Sequence, residues 1–369
     1  MLSDQRHLFS LPEDVTYLNC AYLGPQLRTV TAAGLAAVTE KERPWELTPD
    51  RFFTGAERLR ATFAALVGAD ADGVAFVPSV SYGVGVAAAN LPLDGRATLM
   101  LADDFPSDVY GWRAAGPVVT VPRPPDQDWT AAILAVLDER VGVVAVPHVH
   151  WTDGTLVDLV AVGEAARRVG AALVVDATQS LGALPLDLDA VRPDFVIAAG
   201  YKWLLGPYAL GYLWAAPAHR EGTPLEANWI NREASDDFTR LIDYRDVYQP
   251  GARRYDVGER SNFVLVPMAQ AALDQLTEWG VARIAETIER LTGYLADGAG
   301  GLGLDVAPAH LRGPHLMGLR FPDGLPAGLA DRLAAERIFV SIRGDSIRVA
   351  PHVYNTEADC DRLLAALKG

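Results

Sequence analysis

The protein has 369 residues, of which 50% are hydrophobic and 21% are charged. This length and balance are typical of a folded globular protein with a large core, and they exclude a peptide, a disulfide-stabilised module and a disordered chain. Because 47 acidic residues outnumber 32 basic ones, the net charge of -15 argues against binding to the phosphate backbone of nucleic acids.

The N-terminal segment MLSDQRHLFSLPEDV has neither the basic region nor the apolar region of a secretory signal. The longest apolar runs are broken by Asp, Gly or Pro within about ten residues, whereas a membrane-spanning helix requires roughly 18. The two cysteines, Cys20 and Cys360, do not suggest a disulfide framework. We therefore expect a cytoplasmic protein that has neither a nucleic-acid partner nor a membrane partner.

Short aliphatic runs alternate with helix-like stretches between residues 70 and 215. The predicted strands are 74–77, 97–102, 141–147, 172–177 and 194–200. Their apolarity is nearly continuous, which is typical of parallel strands covered by helices on both faces. The pattern predicts an α/β fold with a mostly parallel sheet, in which ligands bind at the carboxyl ends of the strands.

The pattern changes after residue 263. One long connecting helix is predicted from residue 264 to 298, because apolar residues recur three and four positions apart. A small α+β unit follows it, and segment 222–260, rich in charged and aromatic residues, is predicted to be an irregular connection. The predicted elements of the small unit are a strand at 315–321, a helix at 327–336, strands at 338–342 and 346–350, and a helix at 356–368.

Two predicted strands end in residues suited to chemistry. Asp176 lies at the end of one strand, with Gln179 three residues later, and Lys202 follows the next strand in the segment GYKWLLGP. Burial lowers the pKa of a lysine and makes its amine nucleophilic enough to form a Schiff base. A carboxylate and such a lysine at neighbouring strand ends suit pyridoxal 5'-phosphate, whose pyridine nitrogen the carboxylate keeps protonated.

The D-x-x-Q and G-Y-K-x-x-x-G-P patterns resemble those of the class V aminotransferases. This family of fold-type I pyridoxal phosphate enzymes includes cysteine desulfurases, kynureninases and isopenicillin N epimerase-like proteins. The resemblance extends from YLNCAYLGP at 17–25 to IRVAPHVYNTEAD at 347–359. It implies pyridoxal 5'-phosphate as cofactor, with Lys202, Asp176 and Gln179 as the catalytic residues.

The family resemblance also implies a domain organisation. We expect an N-terminal arm over 1–24, a large cofactor-binding domain over 25–263 with a seven-stranded, mostly parallel sheet between helices, and the connecting helix with a small α+β domain over 264–369. A homodimer with a shared active site is implied as well, since Ser261 or Asn262 would reach the cofactor phosphate of the neighbouring subunit.

Further cofactor-binding residues follow from the same resemblance. The segment at 77–90 is a strand, a Ser-rich turn and a helix, a geometry that suits a phosphate. Ser81 and Tyr82 match the family's phosphate-binding turn, Ser79 matches it less well, and the Tyr201 hydroxyl is expected to bind the phosphate too.

The aromatic positions set this chain apart from some relatives. Phe105, in the kynureninase-like F-P-S-x-x-Y segment, is the expected stacking partner of the pyridine ring, where many desulfurases have a histidine. Trp151 stands where several relatives have an asparagine that binds the phenolic oxygen. Gln179 would then be the main donor to that oxygen, with the Trp151 indole as a second. His148 is expected to be structural, whereas His150 is a weaker candidate for acid-base chemistry.

Two arginines near the C-terminus are candidates for binding the substrate carboxylate. A guanidinium group binds a carboxylate through two parallel hydrogen bonds. Arg348, in I-R-V-A-P, matches the family's carboxylate-binding arginine, and Arg343 is the reserve candidate.

The shared residues leave the reaction open. We expect an enzyme of the aminotransferase type that acts on an amino acid. The alternatives are a C–S or kynureninase-like lyase, an epimerase, or a non-catalytic relative that acts as a binding protein. A persulfide-forming desulfurase is disfavoured, because Cys360 follows the R-x-x-x-x-Y-N segment and Cys20 lies near the N-terminus.

Overall fold

The computed structural model describes residues 1–368. Within that range, strands β1 to β12 are, in chain order, Thr16–Tyr17, Val74–Val77, Ala97–Leu101, Val118–Val121, Val141–Pro147, Ala172–Asp176, Phe195–Ala199, Gly211–Ala215, Met317–Arg320, Ile338–Phe339, Ser341–Arg343 and Ser346–Val349. Helices α1 to α11 are Arg28–Glu40, Thr54–Leu66, Val80–Asn90, Pro106–Ala115, Trp129–Val136, Leu159–Arg168, Leu188–Val191, Leu265–Trp279, Val281–Gly301, Leu329–Ala335 and Glu357–Leu367. No helix among these residues is long and apolar enough to cross a bilayer.

Seven strands form one sheet in the order β2-β8-β7-β6-β5-β3-β4. The neighbours from β7 to β4 are parallel, and β8 is antiparallel to both β7 and β2. The structure therefore confirms the predicted α/β fold with a mostly parallel sheet. The central strand β5 is buried along all seven residues, as its uninterrupted apolar sequence predicts.

This topology brings several strand ends to one edge of the sheet. Strands β3, β5, β6 and β7 run in the same direction, and β2 joins them because β8 reverses direction between β2 and β7. The carboxyl ends of all five strands therefore meet at the same edge. The segments that follow them carry Ser79, Phe105, Trp151, Asp176 and Lys202.

The five strands predicted for the large sheet match the observed ones to within one residue at each end. The sequence pattern does not predict strands β4 and β8. Strand β4 lies at the edge of the sheet and buries one of its four residues, so its sequence lacks the continuous apolar run of a central strand.

The prediction of one continuous helix over 264–298 is wrong. Helix α8 ends at Trp279 and α9 begins at Val281. Between them, Gly280 has a φ of 76°, in the left-handed region that glycine adopts without a steric penalty. Its N–H donates to the Leu276 carbonyl, which closes α8 at that point.

A smaller antiparallel sheet has the order β11-β12-β9. The strand predicted at 338–342 is in fact two strands, because Ile338–Phe339 pairs in parallel with β1 near the N-terminus, whereas Ser341–Arg343 pairs with β12. The N-terminal segment is thus joined to the small sheet through its backbone. The boundaries of the expected arm and domains stay predictions.

Segment 222–260 has no α-helix or β-strand, as expected for an irregular connection. Buried ion pairs fasten it to the large sheet: the Asp256 carboxylate accepts hydrogen bonds from Arg60, from Arg260 and from the backbone N–H of Phe76 in β2. The side chains of the two arginines and of Asp256 are fully buried. Such a network stabilises one position of the segment, since loss of one partner leaves an uncompensated buried charge.

Candidate active site

A cavity of about 230 Å³ lies at the edge of the sheet where the five strands end. The residues that line it are Pro78, Ser79, Val80, Phe105, Ser107, Trp151, Asp176, Thr178, Gln179, Ala199, Tyr201, Lys202, Tyr208, Ala209, Leu210 and Gly211. Six of the residues predicted from the sequence to bind a cofactor therefore share one cavity, namely Phe105, Trp151, Asp176, Gln179, Tyr201 and Lys202.

Lys202 is the one buried lysine of the three in the chain, with 7% of its surface exposed. Within residues 1–368 its amine has no hydrogen-bond or ion-pair partner, and the Phe105 ring centre lies 5.4 Å from Nζ. Burial lowers the pKa of Lys202 from 10.5 to about 8, against the opposing effect of the Asp176 charge and with a contribution from the Arg348 charge. A large fraction of the amine is therefore neutral and nucleophilic in mildly alkaline solution.

The turn that presents Lys202 is packed tightly against the segment near residue 24. The Gly24 N–H donates to the Tyr201 carbonyl at 3.0 Å. A Cβ atom on residue 24 would lie 2.3 Å from the Lys202 carbonyl oxygen, so only glycine allows this approach. The glycine of the YLGP segment thus helps to fix the position of the lysine.

Asp176 ends β6 and accepts a hydrogen bond from the Thr178 N–H at 2.8 Å. Two further carboxyl groups, Asp104 and Asp108, are buried in its neighbourhood. Burial raises the pKa of Asp104 to about 7. The pKa of Asp108 is raised well above its ordinary value by burial and by the adjacent Asp176 and Asp104 charges. The Asp108 Oδ2 atom is buried without a hydrogen-bond partner among the described residues.

Sequence reasoning missed Asp104 and Asp108. They flank Phe105 in the DDFPSD segment, immediately before α4 and in its first turn. Their spacing of four residues at a helix start was the available signal. An acidic residue at such a position is ordinarily explained by the helix dipole, so the spacing alone does not indicate a buried cluster.

Gln179 is 5% exposed and both ends of its amide are in use. Its Nε2 donates to the Ala21 carbonyl at 3.1 Å, and its Oε1 accepts from the Trp203 indole at 2.9 Å. One N–H of Nε2 remains for a ligand, because an amide nitrogen carries two hydrogens. Its expected bond to the phenolic oxygen stays a prediction.

Phe105 and Trp151 form an aromatic wall of the cavity, with ring centres 5.5 Å apart and planes at 84°. The Trp151 indole N–H donates to the Asp103 carbonyl at 2.7 Å. The expectation that this indole donates to a cofactor oxygen is therefore not met, because its single hydrogen is already bonded. Trp151 contributes its ring surface instead.

The phosphate-binding turn differs in detail from the expectation. Ser79, the weaker candidate, lines the cavity and caps α3, since its Oγ accepts from the Tyr82 N–H at 3.2 Å. Ser81 is bonded to Ser79 through its hydroxyl at 2.9 Å, and neither Ser81 nor Tyr82 lines the cavity. Tyr201 lines the cavity. The phosphate contacts of Ser81, Tyr82 and Tyr201 stay predictions.

His150 does not reach the cavity, and its candidacy as an acid-base group is wrong. The side chain is fully buried, with Nδ1 bonded to the Thr152 hydroxyl at 2.8 Å and Nε2 to the Ala102 carbonyl at 3.2 Å. Its ring also stacks on Trp129, with centres 5.1 Å apart. His148 does not line the cavity either, and its backbone N–H joins β5 to the end of β6 at the Asp176 carbonyl.

Arg348 is 1% exposed and does not line the Lys202 cavity. Its guanidinium donates to the Trp151 carbonyl at 2.6 Å and to the Ser341 hydroxyl at 3.4 Å, and its Nε has no partner among the described residues. Burial and the nearby Arg343 charge lower the pKa of Arg348 to about 10. A buried cation that has only neutral partners is a favourable site for an anion.

Ser261 and Asn262 lie apart from the Lys202 cavity within one chain. They line a separate cavity of about 320 Å³ beside α2 and α8. The Ser261 hydroxyl bonds to the Phe52 carbonyl, and the Asn262 side chain accepts from the N–H groups of Val264 and Leu265 at the start of α8. Their expected contact with the phosphate of a partner subunit stays a prediction.

These groups fit pyridoxal 5'-phosphate. The free Lys202 amine suits the aldehyde, and Asp176, which lines the cavity next to two further buried carboxyl groups, suits a protonated ring nitrogen. Phe105 offers an aromatic surface, and the start of α3 offers backbone N–H groups for an anion.

Comparison with known proteins gives a consistent result. The sequence model of the family Aminotransferase class-V matches residues 48–363. A Bacillus subtilis (strain 168) protein named uncharacterized aminotransferase YcbU is 32% identical over 312 residues, which are 82% of this chain and 80% of the relative. Kynureninase of Deinococcus radiodurans is 31% identical over 307 residues, or 79% of this chain and 72% of the relative. Apo cysteine desulfurase of Thermococcus onnurineus NA1 has a TM-score of 0.84 at 18% identity, over 100% of this chain and 98% of that one, a likeness that shows the fold alone.

The lowered pKa of Lys202 predicts how the apoprotein reacts with pyridoxal 5'-phosphate. The rate of covalent capture should rise with pH with a midpoint near 8, because the neutral amine is the nucleophile. Stopped-flow absorbance between pH 6 and 11 measures this rate. Lys41→Arg, which alters an exposed lysine, should leave the profile unchanged, and a midpoint at or above 10.5 would contradict the account.

The carboxyl cluster predicts a pH-dependent stability of the apoprotein. The pKa of Asp108 is raised above 3.8 in the folded protein, so the folded protein binds this proton more tightly than the unfolded chain does. The free energy of unfolding is therefore highest at low pH with respect to this group, and it falls as the pH rises from 3.8 toward the folded pKa. Asp108→Asn, which does not ionise, should reduce the fall in the free energy of unfolding between pH 5 and pH 8 by at least about 1 kcal/mol. Urea unfolding at both pH values measures the difference. Asp103→Asn, at an exposed neighbour, is the control, and an unaltered fall in Asp108→Asn refutes the assignment.

Proposed function

The chain belongs to the aminotransferase class-V family, and we propose that it transfers the amino group of an amino acid to a keto acid. Its cofactor is pyridoxal 5'-phosphate, which when bound supplies an electron sink for the bonds at the substrate Cα. The observation that carries the proposal is that a neutralisable lysine and Asp176 line one small cavity. Two buried acids lie next to Asp176, and an unpaired buried arginine donates to the carbonyl of Trp151, which lines the same cavity.

Lys202 has two tasks in this proposal. Its amine would hold the cofactor covalently, and Nζ would afterwards accept the proton that leaves the substrate Cα. Burial supports both tasks, since a pKa of about 8 leaves the amine able to exist in either protonation state near neutral pH.

The carboxyl cluster keeps a proton on the ring nitrogen. Asp176 is the ring's expected ion-pair partner, and Asp104 and Asp108 are the buried acids next to it. Their raised pKa values reflect burial and mutual repulsion, which the Lys202 charge offsets only in part. A bound cation would relieve the repulsion between these carboxyl groups.

Arg348 holds the substrate α-carboxylate in this proposal. Its present partners, the Trp151 carbonyl and the Ser341 hydroxyl, are neutral and leave the guanidinium charge uncompensated. Arg348 is joined to the cavity through the backbone of Trp151, which lines it.

The cysteines favour chemistry without a persulfide. Cys20 and Cys360 are both fully buried. Burial raises the pKa of the Cys360 thiol to about 12 and that of Cys20 further still, so neither exists as a nucleophilic thiolate near neutral pH. This favours transamination over the desulfurase reaction.

A kynureninase-like or C–S lyase activity is the second candidate, and epimerisation is a separate alternative. Phe105 in its F-P-S-x-x-Y segment and the 31% identity with a kynureninase favour this candidate. A purely non-catalytic role as a binding protein does not agree with the intact Lys202, Asp176 and Arg348.

We also propose that the protein is a cytoplasmic homodimer. Ser261 and Asn262 lie outside the Lys202 cavity of their own chain, which supports a role at the cavity of a partner. Large apolar side chains are exposed on the same chain, and burial in a dimer would remove them from water: Leu35, Val38, Trp45, Ile242 and Tyr244.

The reaction type is tested by incubating the holoenzyme with a panel of amino acids, with and without an added keto acid such as 2-oxoglutarate. An aminotransferase forms about one equivalent of keto acid product per site and continues only when the acceptor is present. Product formation over many turnovers without an acceptor would exclude the aminotransferase and support the lyase. In Arg348→Gln the KM for the amino acid should rise at least tenfold while the cofactor stays bound, because a charge-assisted pair is lost.

A further inference from the structure

A second cavity, of about 720 Å³, adjoins the Lys202 cavity at Trp151, which lines both. Three arginines line it, namely Arg123, Arg320 and Arg343. A ligand in this cavity can pair only with an arginine that no carboxylate already neutralises.

Two of the three arginines are already neutralised by carboxylates of the same cavity. The pairs are Arg123 with Asp103 and Asp153, and Arg320 with Asp305 and Asp345. These four aspartates are also the acidic groups that line the cavity. Neither Arg123 nor Arg320 therefore presents an uncompensated charge.

Arg343 differs from both. Within residues 1–368 no carboxylate lies within 4.0 Å of its guanidinium nitrogens, and its one hydrogen bond runs from Nη1 to the Ile342 carbonyl at 2.7 Å. Its Nε is buried without a partner. The guanidinium carbon lies 5.4 Å from the centre of the Trp151 ring, so this cation rests against the residue that separates the two cavities.

The backbone holds Arg343 in this place. It ends β11 and pairs with Ser346 of β12, and Gly344 closes the turn between them with a φ of 60°. On the same two strands Ser341 pairs with Arg348, whose guanidinium contacts the carbonyl of Trp151. Two unpaired arginines therefore contact the two ends of one residue, its ring and its backbone.

We propose that Arg343 binds a second anionic group of the substrate, a side-chain carboxylate, so that the substrate is an acidic amino acid. The inference rests on the proposed function, in which Arg348 holds the α-carboxylate. The substrate then extends from the Lys202 cavity past Trp151, with its side-chain carboxylate in the larger cavity. Arg343 Nη2 and the second hydrogen of Nη1 make no hydrogen bond among the described residues, so the guanidinium can bind such a group through two parallel hydrogen bonds from these nitrogens.

Calorimetric titration of the holoenzyme with two unreactive probes of equal length tests this proposal. Glutarate carries two carboxylates and pentanoate carries one. Glutarate should bind the wild-type enzyme at least tenfold more tightly than pentanoate. In Arg343→Gln this advantage should fall below about twofold with the affinity for pentanoate unchanged, and Arg343→Lys should retain part of the advantage because it keeps the charge without the planar fork.

Arg320→Gln is the matched control, because Arg320 lines the same cavity but is paired with aspartates. It should preserve the full advantage of glutarate. Equal binding of the two probes to the wild type, or an advantage that survives in Arg343→Gln, overturns the proposal. Either outcome leaves the proposed function intact if Arg348→Gln weakens the binding of pentanoate. If Arg348→Gln leaves pentanoate binding unchanged, the placement of the α-carboxylate fails and the second-carboxylate proposal fails with it.

Discussion

The site depends on buried ionisable groups that make no ion pair within residues 1–368. Lys202 and Arg348 are buried cations without a carboxylate partner, and Asp104 and Asp108 are buried acids whose pKa values are raised by burial and by the Asp176 charge. Each of these groups costs folding free energy as it stands, since desolvation of an ionisable group is unfavourable unless a partner compensates it. A cofactor with a cationic ring nitrogen and an aldehyde, together with a substrate carboxylate, would provide partners for these groups. Ligand binding and the stability of the fold are therefore coupled through the same few side chains.

The sheet makes this arrangement possible. Five strands end at one edge. Asp176 is the last residue of its strand, and the segments that follow the other four strands bring Ser79, Phe105, Trp151 and Lys202 to the cavity. The acids follow β3 and β6, whereas the lysine follows β7. The arginines come from a different sheet, on the hairpin of β11 and β12, and Trp151 lies between the two groups. In the proposed function, cofactor binding and substrate recognition thus use separate parts of the fold, both of which contact Trp151.

The predictions from the sequence were most successful where one physical pattern dominates. The buried strands β2, β3, β5, β6 and β7 were located because a continuous apolar run is typical of a strand covered on both faces, and Asp176 and Lys202 followed from their positions at strand ends. The break at Gly280 was missed, since a single glycine in an apolar repeat is compatible with a continuous helix. The Trp151 indole N–H donates to the Asp103 carbonyl, and His150 contacts Ala102 and Trp129. These partners are distant in sequence, so the local pattern does not predict the contacts. The carboxyl cluster was missed for a related reason, because its effect arises from burial and not from spacing.

The central claim is that Lys202 is the residue that binds pyridoxal 5'-phosphate, and the chain allows a direct measurement. It has three lysines, and Lys41 and Lys368 are exposed. Borohydride reduction of the holoenzyme, followed by digestion and mass spectrometry, identifies the lysine that carries the cofactor. The account predicts the added mass on the peptide that contains Lys202 and on no other peptide, with no such adduct in Lys202→Ala. Added mass on Lys41 or Lys368, or the absence of any stable adduct from a yellow holoenzyme, would contradict it.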